Sequence, residues 1–153
     1  MEPILGFFKS NGYFWLSNFE PCSIVLDGLE FSSSEAAYMA QKCAFAEDKF
    51  QFTGQLKGSD AKALGQKVKL RSDWEAYKVL AMTRAVYAKF NQNFELKCKL
   101  LATGSAHIEE TNSWGDRFWG ADIEGNGLNM LGNVLMYTRE ILQAPSLPNV
   151  KLK

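Results

Sequence analysis

The pattern of apolar and polar positions begins as a strand pattern and turns helical after Phe31. Ser23–Leu26 and Leu29–Phe31 flank Asp27-Gly28, a pair that tolerates positive φ and favours a tight hairpin. A small antiparallel sheet is therefore predicted near the N-terminus. Past Phe31, Ser32-x-x-Glu35 matches a helix capping box and predicts an alanine-rich helix through about Phe45. Between Asp60 and Leu70, Ala61, Leu64 and Val68 fall at helical spacing. Ser72-x-x-Glu75 then caps a longer helix with Val79, Met82, Val86 and Phe90 on one stripe. Asn91-Gln92-Asn93 breaks that helix, a shorter one is predicted over Phe94–Thr103, and Gly104 is placed to stop it in the left-handed conformation. Asn112–Asn129 follows neither period and reads as a long ordered loop, the kind of segment that carries sites. The last helix is expected from near Leu128, with Leu131, Leu135 and Leu142 on one side and Pro145 and Pro148 past its end.

Length and composition bound what these elements can build. At 153 residues and 46% hydrophobic content the chain suits one domain with its own core. Neither a repeat nor a linker divides it, so residues 1–144 are expected to form the domain and 145–153 a tail. Seventeen basic and seventeen acidic residues give zero formal charge. Without a polybasic block, an extended non-specific nucleic-acid surface is excluded, whereas a single nucleotide entering a pocket is not. Cys22, Cys43 and Cys98 are an odd number without a Cys-x-x-Cys pair, which suits free thiols in a reducing compartment. No cationic leader or long apolar run is present, so a soluble cytoplasmic protein without membrane association is expected. The lack of a compact His, Cys and carboxylate cluster argues against a metal, and no cofactor is expected. Oligomeric state is not legible.

Three stretches carry candidate chemistry. Glu35, Tyr38 and Lys42 share one helical face, with an acid, an aromatic wall and an amine spread over about 10 Å at ~1.5 Å per residue. That spacing suits flanking a small ligand, and it equally describes a solvated helix face. Trp114-Gly-Asp-Arg-Phe-Trp-Gly120 sets three rings beside an acid and a guanidinium. Rings suit a flat base and Asp116 suits ribose or a developing cation, while the bland alternative is an aromatic plug with Asp116 and Arg117 paired. Gly125-Asn-Gly-Leu-Asn-Met-Leu-Gly132 leads into the last helix, whose free amides would suit a phosphate, though a turn and N-cap explain it as well. His107 is the only histidine, beside Ile108 in a predicted short strand, so a serine–histidine–acid triad is disfavoured.

Taken together, Trp15-Leu-Ser-Asn-Phe19, Ser34-Glu-Ala-Ala-Tyr-Met-Ala-Gln-Lys42, Asp73-Trp-Glu75, Lys89-Phe90, Asp116-Arg-Phe-Trp-Gly120 and Gly127-Leu-Asn-Met-Leu-Gly132 resemble the NADAR, or YbiA-like, family in order and spacing over nearly the whole chain. The resemblance implies a compact, mainly helical α+β single domain. It also implies N-glycosidase chemistry on phosphorylated ribosyl compounds: riboflavin-pathway ribosylaminouracil phosphates in some members, and ADP-ribosylated guanine, in nucleotide or nucleic acid, in others. On that basis the expected catalytic residues are Glu35, which exchanges protons with the sugar or the leaving group, Lys42, and Asp116, which orients the ribose hydroxyls and stabilises the cationic centre. The expected substrate contacts are Asn18, Phe19, Tyr38, Trp74, Trp119, Gly120 and Asn129. Lys42 would either hold a phosphate or, deprotonated, form an imine with the opened ribose. One departure is that Ala36 and Met39 replace the histidine and glutamine common in Glu-His-x-aromatic-Gln, which motivates the alternative of a non-catalytic ADP-ribose or nucleotide sensor.

Overall fold

The computed structural model describes residues 1–144, so the expected tail with Pro145 and Pro148 lies outside the described residues. The chain starts with β1 (Ile4–Leu5) and then forms the expected hairpin of β2 (Ile24–Leu26) and β3 (Leu29–Phe31), paired antiparallel with Leu26 opposite Leu29. Asp27 and Gly28 take φ of 53° and 76° at its tip, as a two-residue turn between twisted strands requires. Among the described residues five α-helices follow: α1 (Ser34–Ala40), α2 (Gly58–Gly65), α3 (Trp74–Gln92), α4 (Phe94–Ala102) and α5 (Met130–Gln143). Between the last two, β4 (Ile108–Glu109) pairs parallel with β1, Ile4 opposite Ile108. The architecture is mainly helical α+β.

The longest helix, α3, is the axis of the core and packs against α1, α4 and α5. Ala36, Ala37 and Ala40 on α1 and Ala81 and Ala85 on α3 are buried, and their small side chains permit close helix approach. The stripe expected on α3 faces inward at Met82, Val86 and Phe90. The fully buried Lys89 donates from Nζ to the carbonyls of Trp15 (2.8 Å) and Ser17 (2.9 Å). It thereby ties the irregular 14–19 segment to the core.

Several boundaries differ from expectation for identifiable reasons. Ser33, one residue later than predicted, caps α1 by accepting the Ala36 N–H (3.1 Å), while Ser32 Oγ exchanges hydrogen bonds with the Leu56 backbone. Helix α1 stops at Ala40 instead of reaching Phe45. The next residues turn to pair with 69–71, the Ala44 N–H donating to Lys69 and the Arg71 N–H to Lys42. Gln41 reinforces that end by donating to the Ala37 and Ala81 carbonyls. Asp73, not Ser72, precedes α3 and makes no side-chain cap, since both its oxygens bind Arg71. Helix α2 ends at Gly65, short of Val68, and α5 starts two residues after Leu128 because Asn129 adopts φ 49°. Gly104 is left-handed, with φ 60°, as expected.

Candidate active site

A cavity of about 560 Å³ opens between the segment 7–19, the faces of α1 and α2, and the loop 112–129. The size falls in the range of small-ligand sites. Its wall includes Asn18, Phe19, Glu35, Tyr38, Lys42, Asp116 and Trp119 from the sequence-derived set, and also Lys62, Glu110, Met39 and Trp114.

On α1, Glu35 is only 7% exposed, and its carboxyl makes no hydrogen bond among the described residues. Burial raises its pKa to about 7 against the opposing pull of Lys62 and Lys42. Its backbone N–H donates to the Asn18 carbonyl (3.1 Å), and Asn18 Oδ1 accepts from Ser34 Oγ (2.8 Å), so the 14–19 segment holds the start of the helix. Phe19 lies against Gly58 of α2, where a Cβ would approach its ring to 2.9 Å. Tyr38 is buried between two indoles, its ring centroid 5.3 Å from Trp74 and 5.6 Å from Trp119. Burial, with Glu35, Glu75 and Asp116 nearby, raises the pKa of its phenol, which therefore stays neutral. Lys42 sits just past the helix end. Its Nζ lies 5.9 Å from the Tyr38 ring and 5.7 Å from the Trp74 ring, a cation–π arrangement. Burial lowers the Lys42 pKa, Glu35 opposes that, and Lys62 adds to it.

The loop contributes Asp116, whose Oδ1 accepts the N–H groups of Phe118 (3.1 Å) and Trp119 (2.9 Å). The buried Asn112 fixes its backbone from both sides, donating to the Asp116 carbonyl (2.8 Å) and accepting its N–H (3.1 Å). Arg117 pairs with Asp122 at 2.8 Å, not with Asp116. Asp116 is therefore oriented by backbone amides with Oδ2 left over.

Three of the expected contacts stand behind the wall. Trp74 backs Tyr38. Gly120 exists for packing, since a Cβ there would lie 2.2 Å from the Glu110 carbonyl oxygen. Asn129 uses its side chain on β4, accepting the Glu110 N–H and donating to Ile108, both at 2.9 Å. The phosphate reading of the α5 start fails for a related reason: the Met130 and Leu131 N–H groups already donate to Phe118 and Trp119. Ala36 is fully buried and does not line the cavity, whereas Met39 lies on its wall. His107 is exposed beside Glu109, outside the site.

Sequence reasoning missed Glu110 and Lys62. Glu110 follows Ile108 by two, so strand alternation set both on one side, a usable signal. Lys62, exposed on α2, carried none.

The NADAR domain model matches residues 6–143. The N-glycosidase YbiA of Escherichia coli is 36% identical over 146 residues, covering 92% of this chain and 89% of that protein. An N-glycosidase of Nostoc punctiforme is 35% identical over 84% of the chain and 85% of its own length. A riboflavin biosynthesis protein of Vibrio vulnificus is 38% identical over 93% of the chain, which spans only 39% of that longer protein. The NMR structure of the E. coli protein YbiA superposes with a TM-score of 0.79 at 34% identity, covering 93% of this chain and 86% of that one.

Proposed function

Because the chain belongs to the NADAR domain family, we propose that it is an N-glycosidase that hydrolyses the bond between a base or amino nitrogen and the anomeric carbon of a phosphorylated ribose. The observation that carries this reading is the convergence in one cavity of the enclosed Glu35 carboxyl, the Lys42 amine and the Asp116 carboxylate beside Tyr38 and Trp119. Breaking a ribosyl C–N bond develops positive charge at the anomeric carbon and negative charge on the leaving nitrogen. Charges fixed in advance at both ends lower that barrier more than they stabilise the ground state.

In this reading Asp116, aimed by the amides of Phe118 and Trp119, holds the ribose hydroxyls and faces the cationic centre. Trp119 and Phe19 flank the flat leaving group. Glu35 exchanges protons at the sugar. Lys42, whose amine burial shifts toward neutrality, attacks the anomeric carbon. The C–N electron pair leaves with the base, the ring opens to an imine, and water releases the sugar. One relative is named a riboflavin biosynthesis protein, which supports a riboflavin-pathway ribosylaminouracil phosphate as substrate; an ADP-ribosylated guanine, free or in nucleic acid, is the second substrate type that the family resemblance implies. The chemistry at the anomeric carbon is the same for both.

Purified protein incubated with each substrate, with mass detection of released base, tests the reading. Release from either supports it. Saturable binding of both without release would establish the sensor alternative instead.

A further inference from the structure

Glu110 has an unusually fixed position for a residue in a connecting stretch. Its N–H is held by Asn129 Oδ1 (2.9 Å), its carbonyl accepts from Ala121 (3.0 Å), and Gly120 presses so close that no side chain fits there. Its carboxyl nevertheless makes no hydrogen bond or ion pair among the described residues, although it is largely enclosed and lines the cavity that Glu35 and Asp116 share. An enclosed carboxyl without a partner costs stability, and such groups persist where chemistry uses them.

The charges around the two glutamates differ. Glu35 faces two amines, Lys62 from α2 and Lys42 just past the end of α1, and it faces Glu110 itself. The charges facing Glu110 are Asp116 from the loop and Glu35 from α1, with Lys62 as the single cation among the described residues. Carboxyls sharing a cavity do not ionise together. The proton stays on Glu110, which has Asp116 as a further anion and one amine where Glu35 has two.

We propose that Glu110 is the catalytic acid of this site: it carries the proton that the departing nitrogen takes, while Glu35 is its ionised partner. This rests on the N-glycosidase reading above. As the C–N bond breaks, its electron pair moves to the base nitrogen, which takes the proton from the Glu110 carboxylic acid and leaves a carboxylate. The water that supplies the new anomeric hydroxyl returns its other proton to Glu110, so the sum is ribosyl-base plus water to ribose and protonated base. Burial, together with Asp116 and Glu35, raises the Glu110 pKa to about 7 against Lys62, so the acid form is available near neutrality.

The test compares Glu110→Gln with wild type on two kinds of ribosyl phosphate, one losing a purine or aminouracil nitrogen that must be protonated, the other a pyridinium that departs neutral. With general-acid catalysis lost, kcat is expected to fall about 100-fold or more on the first and less than about fivefold on the second. The limb of the pH profile that falls as the acid ionises should vanish. Equal losses on both substrates, or none on either, would overturn the proposal. Carbon-13 NMR titration of the glutamate carboxyls, assigned by their loss in Glu110→Gln, reads the proton without turnover. Glu110 is expected to titrate near neutrality and at lower pH in Asp116→Asn. Titration in the ordinary carboxyl range would overturn the acid role even with an active enzyme. Absence of turnover in wild type on every ribosyl compound would instead overturn the N-glycosidase reading.

Discussion

Lys42 and Asp116 reach the cavity by different means, and their substitutions separate the proposed roles. The Lys42 amine lies over the rings of Tyr38 and Trp74 and forms no ion pair among the described residues. Lys42→Arg keeps the charge but supplies no neutral amine near pH 7. It is therefore expected to lower kcat about 100-fold or more if the amine is the nucleophile. Borohydride added during turnover should attach the sugar fragment to Lys42 in wild type, read by peptide mass. Near-normal turnover of Lys42→Arg with nothing trapped would leave a phosphate-holding lysine and direct attack by water. At Asp116, the amide oxygen of Asp116→Asn can still accept the N–H groups that Oδ1 accepts. The fold should persist, with a melting curve near wild type, while kcat falls at least about tenfold because charge opposite the cationic centre is gone.

At the scale of elements, the cavity depends on fastenings far from the chemistry. Lys89 on α3 holds the 14–19 segment through the Trp15 and Ser17 carbonyls, and the same segment carries Asn18 and Phe19 to the wall. Lys89→Met keeps the volume but strands those carbonyls, so a loss of about 2 kcal/mol in denaturant unfolding is expected, together with a raised KM. An unchanged KM would mean that the segment is held by its other contacts. The desolvated ammonium has its pKa lowered to about 8. It is thus destabilising where the folded state must keep it charged, and stability should rise with pH from about 8 toward the ordinary lysine value. The element pattern was largely legible. The hairpin was announced by Asp27-Gly28 and the α3 core face by its stripe. Lys42 was instead expected on a longer α1, because the pairing of residues 42–44 with 69–71 that ends the helix joins segments with no local signal.

For the whole molecule, the enclosed carboxyls should appear in the pH dependence of stability. Glu35 and Glu110 both have folded-state pKa values raised to about 7 from an ordinary 4.5. A raised carboxyl means that the folded state holds protons more tightly than the unfolded chain. The resulting stabilisation is fully present below about pH 4.5 and is lost as pH rises through 7, with a ceiling of about 3 kcal/mol for each group. Relative to Glu35→Gln/Glu110→Gln, wild type should lose unfolding free energy between about pH 5 and 7.5. Parallel curves for the two proteins would show that these carboxyls titrate normally.

The amino-acid pattern by itself determined the hairpin, the helical core around α3, the family, and the short stretches from which a site could be built. These are properties of period, turn chemistry and motif order, which act over a few residues or survive as a linear signature. Only tertiary structure decided which candidates share a cavity. It set Trp74, Gly120 and Asn129 behind the wall, committed the first amides of α5 to loop carbonyls, and turned Glu110 and Lys62 toward Glu35. Enclosure depends on what packs against a residue from distant parts of the chain. Because desolvation and neighbouring charges set the proton affinity of a carboxyl or an amine, the chemistry of Glu35, Lys42 and Glu110 was fixed only when those surfaces met.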